Sequence, residues 1–381
     1  MPGTPRVAIT LTQCWHQVPG GTATSVQRLV DAMSSSERYR FVGVGARGEL
    51  RRPRSLRRAD PPGAWVPSIP IEQLPLPLPV LYDSWSRLDR PRITSVTGQV
   101  DLVHVTVPIR PPAESTPLVA TVHDLFPLTH PEMMTARGAK LMGAGLGALR
   151  DRARRVMVPS EHVARDCERH GFEPERLRVV PWGVTPVEPS DAQVAEVRSR
   201  HGVTGPYVLF VGTMEPRKNL STLLEALVRL SRPELTLALV GPDGWGDALA
   251  GPTGVGIGDV PSPVARLGYV PEDDLAALQR GAAVVCSPSH AEGFGLAVLE
   301  AMAAGAAVVT SSGTATAEVA GDAALLVDPD DPDALVAALA SVLDDTSVAL
   351  DLRRRAVLRA RGFTWERAAQ LTMDVYDEAL A

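Results

Sequence analysis

Nine short runs rich in aliphatic residues restrict the architectures open to this chain. Five lie in the first half: VAITLTQ (7–13), FVGVG (41–45), DLVHVTV (101–107), PLVATVH (117–123) and RVMVPS (154–159), with helical spacing between several of them. Four lie in the second: YVLFVG (207–212), TLALVG (236–241), AAVVCSP (282–288) and AAVVTS (306–311), each followed by a helical stretch. Runs this short and apolar suit strands buried on both faces, and their alternation with helices makes the sheets parallel. The segment PWGVTPVEPSDAQVAEVRSRHGVTGP (181–206) separates the two series with proline and glycine punctuation. The pattern therefore predicts two doubly wound α/β domains. The expected division is an N-terminal domain over 1–185, a linker over 186–205, a second domain over 206–362 and a C-terminal helix over 363–381, which pattern alone does not place.

A chain of 381 residues with 45% hydrophobic and 22% charged residues buries a sizeable core and is too apolar for disorder. It contains no uninterrupted apolar run of about 18 residues, and MPGTPRVAIT lacks the pattern of a secretion leader. Cys14, Cys167 and Cys286 are far apart and in no metal-ligand spacing, which points to a reducing, cytoplasmic compartment. The net charge of -6 hides an asymmetry: residues 1–185 carry 24 Lys+Arg against 17 Asp+Glu, while the remainder is acidic. A basic half could meet an anionic partner, but an acidic whole without interleaved aromatics argues against nucleic acid.

Ligands of parallel α/β sheets bind at the carboxyl ends of strands, where glycine loops lead into helix N-termini that favour anions. Three places qualify: Gly20-Gly21 after the first strand, VGTMEPRKN (211–219), and EGFGLAVLE (292–300). Gly293 and Gly295 would let backbone N–H groups approach a phosphate, and a helix starting at Leu296 would point its positive end there. Glu300 then falls one turn into an otherwise apolar helix, where a carboxylate needs either a solvated face or a ligand. Only two lysines, Lys140 and Lys218, stand among the 38 basic residues. Lys218 beside Arg217 at a strand-to-helix turn pairs a compact ammonium with a planar guanidinium, two different tools for a diphosphate. A solvated loop pair is the plain alternative.

Three stretches, YVLFVGTMEPRKNLSTLLEAL, LGYVPEDDLAALQRGAAVVCSPSHAEGFGLAVLEAMAAGAAVVTS and AEVAGDAALLVDPDDPDALVAAL, resemble the second domain of the family 4 retaining glycosyltransferases. In the first half PGGTATSVQRL, TVHDLFPLTHPE and VPSEHVARDC are similar to the same family, with residues 46–98 the least matched. The resemblance implies the GT-B fold, two Rossmann-like doubly wound domains facing across a cleft, with the C-terminal helix returning toward the first. It implies a nucleotide-sugar donor, a glycan, lipid-linked or small-molecule acceptor, transfer of a hexose such as mannose or glucose with retention, and no metal or other cofactor. By the same resemblance Glu292 faces donor-sugar hydroxyls and Glu300 bonds the ribose. Gly293, Phe294, Gly295 and Leu296 hold sugar and diphosphate, and Lys218 neutralises the leaving diphosphate. His123 lies near the donor sugar and reaction centre, and Gly20 and Gly21 border phosphates and acceptor. The sequence departs from the family at Thr213, where many members carry Arg, which by the resemblance gives Arg217 a share of the diphosphate, and at Ala297, commonly Pro.

A nucleotide-sugar epimerase of similar architecture and a nucleotide-sugar-binding protein without turnover are the alternative functions. VDPDD (327–331) could imitate a metal-binding carboxylate motif, but Asp before Pro ahead of ALVAAL signals a helix N-terminus. His162, Asp166 and His170 share a helical face without a further ligand, which favours a solvated surface over a metal site. His104 and His130 read as packing or loop histidines. Arg47, Arg51, Arg52, Arg54, Arg57 and Arg58, with Arg137, Lys140, Arg150, Arg152, Arg154 and Arg155, supply the basic character of the first half. They would either touch an anionic membrane peripherally at its inner face or simply lie solvated.

Overall fold

The computed structural model describes residues 3–15, 20–48, 65–112, 115–244 and 255–381. The chain divides into two compact units, Met1–Gly183 with Thr364–Ala381, and Val184–Phe363. The first unit contains strands β1 (Arg6–Thr10), β2 (Arg40–Gly45), β3 (Ile71–Gln73), β4 (Leu102–Val105), β5 (Leu118–Thr121), β6 (Arg155–Val158) and β7 (Leu177–Val179). They form one sheet in the order β3-β2-β1-β4-β5-β6-β7, with every pairing parallel. The order reverses between β1 and β4, which makes the crevice at their carboxyl ends the natural ligand position of this unit.

The second unit contains β8 (Tyr207–Val211), β9 (Thr236–Val240), β10 (Val264–Gly268), β11 (Val284–Ser287), β12 (Val308–Ser311) and β13 (Leu325–Val327). Its order is β10-β9-β8-β11-β12-β13, again wholly parallel, with the reversal between β8 and β11. The turns that follow β8 and β11 carry EPRKN and EGFGL, so both motifs stand at this switch point. Central strands are apolar on both sides, as in TLALV of β9, where every residue is buried.

Residues 186–205, read from the sequence as a linker, fall inside the second unit, and Asp191–Arg200 is a helix packed against the helix Glu272–Gly281. Its N-terminus is fixed by a capping box between Ser190 and Gln193. The C-terminal helix Trp365–Leu380 belongs to the first unit, where it packs on the helix Gly21–Met33 and on β6. It buries Trp365, Met373, Val375 and Tyr376, and Glu378 pairs with Arg155 and Arg178 at its end. The Tyr376 hydroxyl meets Nδ1 of His104 at 2.8 Å, and Thr121 Oγ1 meets Nε2 at 2.7 Å. Burial, helped by the neighbouring His123, lowers the His104 pKa to about 3, so this ring is a neutral internal strut.

Candidate active site

The carboxylate of Glu292 organises the polar end of the second unit. It follows β11, is 9% exposed, and accepts three charged or polar donors from two loops. Lys218 Nζ donates to Oε1 at 2.6 Å, Ser289 Oγ donates to the same oxygen at 2.8 Å, and Arg217 Nη1 donates to Oε2 at 3.0 Å. Burial alone would push this carboxyl up. The charges of Lys218 and Arg217, with the Lys218 and Ser289 hydrogen bonds, outweigh it and hold the pKa at about 2. Arg217 also pairs with Glu215 at 2.5 Å and donates to the Ala291 carbonyl at 2.8 Å. Two cations and two carboxylates thus form one partly buried group.

Asn219, which the sequence did not flag, ties the two loops together. It caps the helix Leu220–Leu230 in the left-handed conformation, φ 56°, a region that asparagine tolerates better than most residues. Its Nδ2 donates to the Pro288 carbonyl at 2.9 Å and the Pro329 carbonyl at 2.8 Å, while Thr222 Oγ1 donates to its Oδ1 at 2.7 Å. The His290 amide donates to the Arg217 carbonyl at 2.9 Å, a second strap between the same loops. These bonds fix where Lys218 and Glu292 stand, so their approach is a property of the backbone and not of two flexible side chains alone. The only sequence trace of the strap is the polar Asn between RK and the apolar LSTLL run.

Beyond Glu292, Gly295 caps the helix Leu296–Ala303 with φ 97°, and its carbonyl accepts from Val298 and Leu299. A Cβ at this position would lie 2.5 Å from Thr316 Cγ2, so both the backbone angle and the packing demand glycine. Phe294 is buried and meets Phe363 edge to face, with ring centroids 6.1 Å apart. Gly293 and Leu296 are half-buried, and Glu300 lies half-buried on the helix whose other positions Val298, Leu299, Ala301 and Met302 face the core. The described structure therefore brings Arg217, Lys218, Glu292, Gly293, Phe294, Gly295, Leu296 and Glu300 to one end of one unit.

The remaining expected residues belong to the first unit. His123 follows β5 and is 5% exposed, with its ring 5.3 Å from that of Trp182. Nε2 donates to the Thr106 carbonyl at 2.8 Å, which leaves Nδ1 as the unprotonated acceptor. Among the described residues Nδ1 has no hydrogen-bond partner. Burial lowers the His123 pKa to about 4 against the opposing effect of the Thr106 bond, so the ring is neutral at physiological pH. Gly20 and Gly21 open the helix Gly21–Met33 after β1, and a Cβ at either would meet nothing within 4 Å among the described residues.

The decoys resolve into structure. Asp331 caps the helix Pro332–Asp344 by accepting from the Ala334 amide at 2.9 Å. Asp166 is engaged by Arg169 at 2.8 Å and lies 3.7 Å from His162, while His170 contacts the Asp166 carbonyl. His130 lies 3.4 Å from Glu132 on the surface. Among the described residues no group of three or more His, Cys, Asp or Glu could hold a metal ion, and no helix is long and apolar enough to cross a membrane. Several basic residues of the first half have internal partners: Arg137 pairs with Asp83, Arg155 with Glu378, Arg152 donates to Pro111 and Pro112, and Arg154 to Ala379. Arg51, Arg52, Arg54, Arg57 and Arg58 lie outside the described residues.

Known proteins share this sequence pattern across both units. The family described as "Glycosyltransferase Family 4" matches residues 19–188, and "Glycosyl transferases group 1" matches residues 205–345. The O-antigen chain mannosyltransferase B of Escherichia coli is 33% identical over 265 residues, covering 68% of this chain and 69% of that protein. The chain belongs to glycosyltransferase family 4. This family 4 glycosyltransferase is also 30% identical to the phosphatidyl-myo-inositol mannosyltransferase of Mycolicibacterium smegmatis over 74% of its length and 72% of that protein. The D-inositol 3-phosphate glycosyltransferase of Acidothermus cellulolyticus is 32% identical, with 70% of this chain aligned to 62% of that protein. Among solved structures, Anabaena HepE in complex with UDP and glucose has a TM-score of 0.73 at 17% identity, covering 98% of this chain and 99% of that one. Sucrose-phosphate synthase from Thermosynechococcus elongatus has a TM-score of 0.74 at 19% identity, covering 98% of each. At those identities the likeness establishes the fold, that of the GT-B glycosyltransferases.

Proposed function

We propose that this family 4 glycosyltransferase moves a hexose, mannose or glucose foremost, from a nucleotide diphosphate sugar to a hydroxyl of a glycan, lipid-linked or small-molecule acceptor. The observation that carries this reading is the buried Glu292 carboxylate held by Lys218 and Arg217 beside the Gly295-capped helix. That arrangement offers acceptors for sugar hydroxyls, cations for a diphosphate and backbone N–H groups at a helix N-terminus within one loop pair. The names of the mannosyltransferases of Escherichia coli and Mycolicibacterium smegmatis, and the UDP and glucose bound in HepE, favour the same donor chemistry.

In this reading Lys218 and Arg217 offset charge on the leaving diphosphate, with the amides at 293–296 beside them, and Glu300 bonds the ribose. Electrostatic preorganisation carries the catalysis without a metal. We take Glu292 to read the sugar and not to bond its anomeric carbon, since with donor bound its oxygens receive sugar hydroxyls and the Ser289 hydroxyl. We therefore assign same-face attack with retention: the bond from the anomeric carbon to the diphosphate breaks, the acceptor oxygen bonds to that carbon, and its proton passes to the leaving phosphate. On the first unit, His123 presents a neutral Nδ1 that can accept a sugar hydroxyl but cannot supply a cation. Gly20 and Gly21 border the phosphates and the acceptor. We place the protein in the cytoplasm, in keeping with Cys14, Cys167 and Cys286, which are buried and joined in no disulfide among the described residues.

The test is a panel of nucleotide sugars assayed for slow hydrolysis without acceptor, followed by product configuration by NMR. One donor should be selected, and Lys218→Ala and Glu300→Ala should each reduce kcat/KM for it at least about a hundredfold by leaving donor groups unpaired. Unchanged kinetics in both variants would remove the assignment, an inverted product would remove retention, and a trapped glycosyl adduct on a side chain would remove same-face attack.

A further inference from the structure

The cations assigned to the diphosphate already have partners. Lys218 Nζ stands 2.6 Å from Glu292 Oε1, Arg217 Nη1 stands 3.0 Å from Oε2, and Arg217 Nη2 stands 2.5 Å from Glu215. The four side chains retain only 10 to 18% of their exposure, so water screens these charges weakly. Two positive and two negative charges cancel locally. A diphosphate approaching this group meets no net attraction from it and must draw the cations away from Glu292.

We propose that Glu292 is an internal counterion which the diphosphate displaces, and that its return to Lys218 and Arg217 expels the spent nucleoside diphosphate. The proposal rests on the donor reading above. With an intact nucleotide sugar, the carboxylate that gives up two cations receives sugar hydroxyls in exchange, so its lone pairs stay satisfied. Ser289, buried and bonded to Oε1 at 2.8 Å, holds the carboxylate in place through that exchange. Once the sugar has left, the same carboxylate is buried without those donors, a costly condition that pairing with the cations relieves. The device thus lowers affinity for the product relative to the substrate, and it does so with a residue that also reads the sugar.

The experiment measures binding of UDP, GDP and ADP, and of the matching nucleosides, by calorimetry to the full chain and to its Glu292→Gln and Glu292→Asp variants. The nucleoside diphosphate bound by the wild type should bind Glu292→Gln at least about tenfold more tightly, because one opposing charge is gone from contact distance. Glu292→Asp keeps the charge but retracts it by one methylene, so its gain should be smaller. The nucleoside, which lacks phosphates, should bind all three proteins alike. Equal or weaker diphosphate binding by Glu292→Gln overturns the counterion role while leaving the donor reading intact. Failure of the wild type to bind any of the three diphosphates overturns the donor reading, and this proposal with it. Glutamine is isosteric and still accepts from Ser289; should that variant not fold, Glu292→Asp decides, with tighter binding supporting the role and unchanged binding ending it.

Discussion

Gly295→Ala is the substitution whose consequence can be worked out most fully. At φ 97° a residue with a Cβ is strained by about 1–2 kcal/mol. The added methyl would also press to 2.5 Å from Thr316 Cγ2, with Thr316 Cβ and Cα at 3.3 and 3.4 Å. Thr316 cannot turn aside cheaply, since it is fully buried and its hydroxyl bonds Thr310 at 3.0 Å, Thr314 at 2.7 Å and the Ser311 carbonyl at 3.2 Å. Overpacking of such a site costs about 1–3 kcal/mol, so the loss should total about 2–5 kcal/mol or be relieved by moving the 292–296 loop. Urea unfolding followed by circular dichroism reads the first outcome, and nucleoside diphosphate binding reads the second. Thr316→Ser deletes Cγ2 and keeps the hydroxyl, so adding it to Gly295→Ala should restore the packing part and leave the backbone part. A Gly295→Ala protein as stable and as active as the wild type, or a double variant no better than the single one, would refute the reasoning.

Two glycines of the helix Ala136–Arg152 should respond oppositely to alanine. Gly145→Ala would place Cβ 2.1 Å from the Pro108 carbonyl oxygen and should destabilise by about 1–3 kcal/mol, whereas Gly147→Ala meets nothing within 4 Å among the described residues and should stabilise by about 0.5–1 kcal/mol, both read by urea unfolding. Acid should weaken the fold through His104 and His123: their folded pKa values lie below the unfolded one near 6.5, so the unfolded chain binds more protons and stability falls as pH drops from 6.5 toward 4. Each should cost roughly 2 kcal/mol at about pH 5, before Glu292, lowered to about 2, begins to lose its contribution below about pH 4.5; a flat unfolding profile between pH 7 and 5 would contradict this. Asn219→Gly keeps the left-handed backbone and deletes the strap, so it should cost about 1–3 kcal/mol and raise KM for the donor more than a substitution of equal stability loss elsewhere, such as Leu227→Ala.

The central strands were legible because burial on both faces leaves almost only apolar residues, as in TLALV and YVLFV. The strands β3, β7, β10 and β13 were not, since each is a sheet edge and admits polar residues, as IEQ and VARLG show. Spacing alone could place EPRKN and EGFGL at strand ends, and the order of β8 and β11 then makes them neighbours. Pairing of Arg217 and Lys218 with one carboxylate was beyond it, because Lys218 and Glu292 lie 74 positions apart and only the assembled sheet sets their distance. Ser289 and Asn219 stayed hidden for a related reason: their partners are a neighbouring carboxylate and two distant carbonyls, which leave no periodic mark. The segment 186–205 reads as a linker by its prolines and glycines, yet its helix Asp191–Arg200 contributes Val197 to the packing of the second unit.

The chain leaves the first unit at Gly183 and rejoins it at Thr364, after the whole second unit has been laid down. During synthesis the second unit, being continuous, can complete its sheet as soon as it emerges. The earlier-made sheet must wait, with His104 short of its Tyr376 hydroxyl and the groove for Trp365 to Ala379 open to water, until the final turns arrive. The order of translation and the order of maturation are therefore opposed: the sheet made first is the one completed last.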